Sequence, residues 1–336
     1  MNSSRALALT MGEPSGISGE ITLKAWLKLK DTDHAFVVLD DPQRLHDSAL
    51  SLGLAVPIKV VKSMAEGRAV FADALPVLAM PLNTPVLAGK PNPAHGAAVI
   101  ASISQAVHLT QKGEAAAVVT NPIQKSNLTA AGFQFPGHTE YLEHLAGAGS
   151  RAQMMLAGRG LRVVLVTVHE PLRLAIARLT TEMIVDAGRR AAKALRDDLA
   201  IRNPRIAVAG LNPHAGEQGT LGEEDAAMIA PAVAALQAEG IRAFGPLPPD
   251  TMFTTQARRT YDVALCMYHD QGLIPLKTLD MMGGVNVTLG LPFVRTSPDH
   301  GTALDIAGKG LAQPSSLIAA LKMARTLVDS RTRIRT

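Results

Sequence analysis

Short aliphatic runs alternate with polar clusters along this chain, and stretches of helical spacing lie between them. Ala6–Thr10 runs into MGEPSG, Ala35–Leu39 into Asp40-Asp41-Pro42, and Ala115–Val119 into Thr120-Asn121-Pro122. Val163–Val168 runs into His169-Glu170-Pro171, Ile206–Gly210 into LNPHAGE, and Val263–Met267 into YHDQG. Aliphatic runs without polar alternation are what strands buried on both faces look like. Helices are predicted over Ile17–Lys30, Ala94–Lys112, Thr181–Leu199, Glu223–Glu239 and Ser315–Ser330. In the last, Leu317, Ile318, Leu321, Ala324, Leu327 and Val328 share one face, and Pro314-Ser315 marks the start. Strand alternating with helix predicts an α/β fold with mostly parallel, doubly wound sheets.

Ligands of such sheets bind beyond the carboxyl ends of the strands. Asn121, His169, His214, His269 and Asp270 each follow an apolar run closely, so they are expected to gather at that edge.

At 336 residues the chain exceeds one simple core and suits two α/β lobes. Hydrophobic residues make up 47 % but aromatics only 3 %, which favours aliphatic strands and Ala-rich helices over a β-sandwich. The net charge of +4 is carried by scattered Lys and Arg with no aromatic-interleaved basic stripe, so no nucleic-acid partner is expected. The single cysteine, Cys266, permits no internal disulfide, and the apolar run before Gly12 is too short for a signal-peptide core. Residues 93–111 lack Asp, Glu, Lys and Arg but carry His95, Ser102, Ser104, Gln105 and His108, which reads as a buried or amphipathic helix rather than a membrane span. The expectation is a cytoplasmic protein with no membrane partner.

Several chemistries lose their usual signatures. There is no GxGxxG after the first strand, no P-loop, no HExxH, no CxxC and no GxSxG. The GRG of 158–160 and the GKG of 308–310 read as ordinary turns.

His169, His214 and His269 each end an apolar run inside a Pro- or Gly-flanked motif. A lone loop histidine is more often structural than a ligand. Three in equivalent positions could hold a divalent ion such as zinc as a Lewis acid. Glu170 and Asp270 adjoin two of them, as ring-orienting carboxylates or as loop caps. Lys277, and Arg295 beyond the glycine-rich segment with Asn286, could grip an anion or lie on the surface. Gly137-His138-Thr139-Glu140 marks a helix start, which suits an anion, with Thr139 as a candidate N-cap.

Taken together, GEPSGI, TNPI, PGHTE, VTVHEPLR, GLNPHAGE, GPLPPDT, MYHDQGLIPLK and GVNVTLGLPFVRTSPDHGTALDIAG resemble the 4-hydroxythreonine-4-phosphate dehydrogenase family over nearly the whole chain. The resemblance implies a two-lobed α/β/α fold, similar to the isocitrate and isopropylmalate dehydrogenases, which bind NAD without a GxGxxG turn. It places a first lobe at 1–125 plus 285–336, a second at 126–284, and the active site in the cleft between them. It implies that His169, His214 and His269 bind one divalent metal per subunit (zinc, with magnesium or cobalt as alternatives). His138, Thr139, Lys277, Asn286 and Arg295 would contact a small phosphorylated substrate. Asp250, Asp270 and Lys277 would serve the chemistry. It further implies NAD or NADP as cofactor and a homodimer whose subunits both supply metal ligands. The expected reaction is oxidation of 4-phosphohydroxy-L-threonine in pyridoxal 5′-phosphate biosynthesis. A 4-phospho-D-threonate or 4-phospho-D-erythronate dehydrogenase, a cis-dihydrodiol dehydrogenase and a metallohydrolase are the alternatives.

Overall fold

The computed structural model describes residues 5–335. Its strands are β1 (Leu7–Thr10), β2 (Phe36–Asp40), β3 (Ile58–Val61), β4 (Leu75–Ala79), β5 (Val118–Val119), β6 (Gln153–Gly158), β7 (Leu161–Leu165), β8 (Arg205–Ala209), β9 (Arg242–Leu247), β10 (Val263–Cys266), β11 (Val285–Leu289) and β12 (Arg295–Pro298). The chain forms two compact units. One ends at Ala152 and takes in Leu291–Thr332; the other is Gln153–Gly290 with the residues after Thr332.

In the first unit the strands run in the order β3-β4-β2-β1-β5-β12, every pairing parallel. β1, β2 and β5 are buried throughout, as aliphatic runs without polar alternation require. Residues 126–152, which the sequence reading gave to the second lobe, belong here. The helix His138–Ala146 packs on the helix Gly96–Gln111, and Tyr141 and Leu142 join the core that holds Val99, Ile103 and Val107. The charge-free stretch 93–111 is thus a core helix with its inner face buried.

In the second unit the order is β11-β6-β7-β10-β8-β9. β7, β10, β8 and β9 are parallel, while β6 pairs antiparallel with both β7 and β11. The β6–β7 hairpin turns on Arg159 and Gly160, both at positive φ, so GRG is the tight turn its sequence suggested. The segment 285–290 lies with this unit because β11 pairs with β6.

The predicted helix over 223–239 is interrupted. Ala230 N donates to Asp225 O, five residues back, and the regular helix runs only over Ala230–Ala238. Pro231 has no N–H to give the narrower ladder, so the backbone runs wide before it. Among the described residues, no helix is long and apolar enough to cross a membrane. Cys266 is fully buried without a disulfide, and burial pushes its thiol pKa up.

Candidate active site

Each unit gathers its sequence motifs at the carboxyl ends of neighbouring parallel strands. In the first, GEPSGI follows β1, TNPI follows β5 and DHGTA follows β12, and those three strands are adjacent. Their loops are tied together. Glu13 N donates to Pro122 O, Ile17 N to Thr302 O, and Thr302 Oγ1 to Gln124 Oε1. The buried Glu13 carboxylate accepts from Ser15 N at 3.0 Å and from Asn127 Nδ2 at 3.1 Å. Asn121 sits in this unit, at the end of β5, its Nδ2 donating to Thr10 O and Thr22 Oγ1.

The first loop has a second anchor that the sequence reading missed. Arg44 Nε and Nη2 each lie 2.5 Å from an oxygen of the fully buried Asp40, while Nη1 donates to Pro14 O and Nη2 to Met11 O. Burial raises the Asp40 pKa, and Arg44 pulls against that rise. The Asp40-Asp41-Pro42 cluster therefore caps the helix Pro42–Ser51 through Asp41 and holds the GEPSG loop through Asp40.

His138 opens the helix His138–Ala146, preceded by Gly137 in the cap position, so Thr139 lies in the first turn and is not the N-cap. The His138 ring is half-buried with Nε2 covered and without a hydrogen-bond partner. Desolvation holds its pKa well below 6.5, and the nearby Arg295 charge adds to this. Arg295, buried on β12, donates from Nη2 to Thr120 Oγ1 at 2.6 Å, and burial lowers its pKa to about 10. At neutral pH the pair is an uncharged imidazole beside a guanidinium. That combination suits an anionic ligand carrying hydrogen-bonding groups.

In the second unit β7, β10 and β8 lie side by side and parallel. His169 follows β7, His269 follows β10 and His214 follows β8, as the strand-end argument required. The His169 and His269 rings come together, centroids 5.3 Å apart and planes inclined at 49°. His269 opens the helix His269–Leu279, and its Nδ1 lies 2.7 Å from Asp270 Oδ1. A carboxylate only accepts, so the tautomer that makes this bond donates from Nδ1 and leaves the Nε2 lone pair for a metal. Two imidazoles on one tetrahedral ion, each nitrogen about 2.1 Å from it, would put their centroids roughly 5 Å apart. The observed pair fits a metal on that measure. Among the described residues, no three His, Cys, Asp or Glu side chains form such a group, so His214 is not brought to the pair within one chain.

His214 sits on Pro213–Gly219, where His214, Ala215, Glu217 and Gln218 all take positive φ. Left-handed backbone costs a non-glycine residue roughly 1–2 kcal/mol, and it persists where surrounding contacts over-determine it. Here the buried Asp225 accepts from Leu211 N, Asn212 N and Asn212 Nδ2 at 2.7–3.0 Å. The short helix Pro249–Met252, which carries the exposed Asp250, packs against this turn. Gly272 has a packing reason. A Cβ there would meet Leu165 Cδ2 at 2.8 Å and Val163 Cβ at 3.3 Å, so glycine in YHDQG lets the His269 helix lie this close to β7 without displacing the Leu165 side chain. Lys277 lies half-buried on that helix, and Asn286 on β11 donates from Nδ2 to Met154 Sδ at 3.4 Å. Asp225 ends the acidic run Glu223-Glu224-Asp225, whose local pattern gives no sign of this role.

Comparison with known proteins agrees with these motifs. Residues 31–324 match the model of the family described as pyridoxal phosphate biosynthetic protein PdxA. A 4-hydroxythreonine-4-phosphate dehydrogenase of Caulobacter vibrioides is 51 % identical over 333 residues, covering 98 % of this chain and 99 % of its own. The crystal structure of a 4-hydroxythreonine-4-phosphate dehydrogenase from Klebsiella pneumoniae superposes with a TM-score of 0.86 at 37 % identity, covering 97 % and 98 % of the two chains. A terephthalate 1,2-cis-dihydrodiol dehydrogenase from Burkholderia xenovorans is more distant, with a TM-score of 0.63 at 28 % identity over 96 % and 98 %. The fold class is the expected one, α/β with mostly parallel sheets and no GxGxxG turn, and the chain belongs to the PdxA family.

Proposed function

We propose that this chain oxidises 4-phosphohydroxy-L-threonine to 2-amino-3-oxo-4-phosphooxybutanoate, a β-keto acid that loses CO₂ to give 3-amino-2-oxopropyl phosphate in pyridoxal 5′-phosphate biosynthesis. The observation that carries the reading is the His169–His269 pair at the ends of adjacent parallel strands, in a chain half identical to dehydrogenases of that name.

His169, His214 and His269 hold a divalent metal, zinc with magnesium or cobalt as substitutes, across a homodimer whose subunits both supply ligands. When bound, the metal would supply a Lewis acid for the substrate hydroxyl, and NAD or NADP would supply the hydride acceptor. Arg295, His138, Thr139, Lys277 and Asn286 bind the phosphorylated substrate. Asp270 is held to His269 and acts by orienting that ring. Lys277 and Asp270 are the two candidates to take the hydroxyl proton through a water. Asp250 maintains the site from beside the His214 turn.

The homodimer has a surface suited to it. Leu172, Leu174 and Ile176 on the helix after His169 are exposed, as are Ile274, Met281 and Met282 on and after the helix that begins at His269. Such large apolar side chains become burial partners when a second subunit packs on them. The protein acts in the cytoplasm.

The test is absorbance of reduced nicotinamide with NAD or NADP and four substrates: 4-phosphohydroxy-L-threonine, 4-phospho-D-threonate, 4-phospho-D-erythronate and a cis-dihydrodiol. Turnover of the first above the others is expected. Preference for another substrate, or metal-dependent hydrolysis without nicotinamide reduction, overturns the assignment.

A further inference from the structure

One buried amide in the second unit has no part in the reading above. Gln271 is only 6 % exposed. Its Oε1 accepts from Met267 N at 2.6 Å, and its Nε2 donates to Gly210 O at 2.6 Å. β8 and β10 pair from Ile206↔Val263 to Val208↔Leu265, and there the ladder stops. Continued by two residues, the same register would set Gly210 opposite Met267. The Gln271 side chain spans that missing rung. On one side it fixes the chain about to deliver Tyr268 and His269. On the other it fixes the chain about to enter the left-handed turn that carries His214. Asp225 holds the next two residues, Leu211 and Asn212, through three hydrogen bonds.

We propose that Gln271 is a positioning residue for the metal site, with Asp225 as its counterpart on the His214 side. Together they make the two histidine-bearing segments one rigid piece, so each chain presents His214 and His269 in fixed register before an ion arrives. The inference rests on the assignment of His169, His214 and His269 as metal ligands. Glutamine suits the place because it accepts and donates at once. A carboxylate could keep the Met267 bond but has nothing to donate to Gly210 O, and a thioether offers Met267 N only a weak acceptor and Gly210 O nothing.

The test is Co²⁺ titration of the metal-free, full-length protein, read by the visible absorption of the bound ion, with thermal unfolding of the metal-free form alongside. Gln271→Met and Gln271→Glu are expected to unfold cooperatively yet to bind Co²⁺ about 10–100-fold more weakly, the range for loss of a partner that orients a ligand. Asp225→Asn is expected to weaken binding similarly, and it decides the matter if the Gln271 variants do not fold. Wild-type affinity in all folded variants, in a protein that His214→Ala does weaken, overturns the positioning role alone. Gln271→Glu matching wild type while Gln271→Met is weakened confines the side chain to the helix start and also overturns it. If the wild type binds no Co²⁺, or His214→Ala binds as the wild type does, the metal assignment itself falls and the inference falls with it.

Discussion

His169 and His269 face each other across 5.3 Å although they follow different strands. Their meeting is a property of the sheet. β7 and β10 are parallel neighbours in register from Val163↔Ala264 to Leu165↔Cys266, so residues just past their ends must be close. The close packing permitted by Gly272 then brings the His269 helix down onto β7.

The Asp270 contact should set how well His269 serves as a ligand. Asp270→Asn keeps the shape but replaces a carboxylate acceptor with an amide. We expect metal affinity to drop about 10–100-fold, with kcat falling more than KM. A chelator competition and steady-state kinetics check both, and unchanged metal affinity would show that the ring needs no such partner.

Arg44→Met removes one half of a buried ion pair and leaves Asp40 without its cation. Breaking such a pair costs about 3–5 kcal/mol. Two backbone carbonyls of the first loop, Met11 O and Pro14 O, also lose their donor. Urea unfolding of the variant should show a loss of that order, and a loss under about 1 kcal/mol would contradict the anchoring role.

His138 gives a signature in pH. Its folded pKa lies below 6.5 because burial, then Arg295, disfavours the imidazolium. The unfolded chain therefore binds more protons between that folded value and 6.5. The stability contribution is fully present above 6.5 and is lost as pH falls through the folded pKa. The midpoint of wild-type unfolding should fall more steeply with acid in this window than that of His138→Gln; parallel profiles would remove His138 as the cause.

Arg295→Lys keeps a positive charge but loses the planar fork and its bond to Thr120. One hydrogen bond to a charged group is worth about 1.5–3 kcal/mol. KM for the phosphorylated substrate should rise by roughly 10–100-fold, with a smaller change in kcat. An unchanged KM would place the phosphate elsewhere.

Much of this was legible in the sequence, for identifiable reasons. β1, β2 and β10 are buried throughout, and β7 and β8 are buried but for one half-buried arginine each, so near-unbroken aliphatic runs announced them and, with β7, β8 and β10, the positions of His169, His214 and His269. β3 is half exposed and β5 is two residues long, and such strands leave weaker patterns. The antiparallel insertion of β6 and β11 could not be seen, because pairing direction is set by tertiary contacts and not by any local spacing. Asp225, Gln271 and Arg44 escaped notice for another reason. Each acts by bonding backbone groups, and a backbone group leaves no mark in the residue names. Likewise, nothing in the spelling of NPHAGEQ indicates four non-glycine residues in left-handed conformation.

The account is tested most directly by nicotinamide reduction with 4-phosphohydroxy-L-threonine, followed before and after exhaustive chelation in the wild type and in His214→Ala. We expect chelation to abolish wild-type turnover, a divalent ion to restore it, and the variant to stay inactive under both conditions. Undiminished turnover in protein shown to be metal-free would contradict the account at its centre.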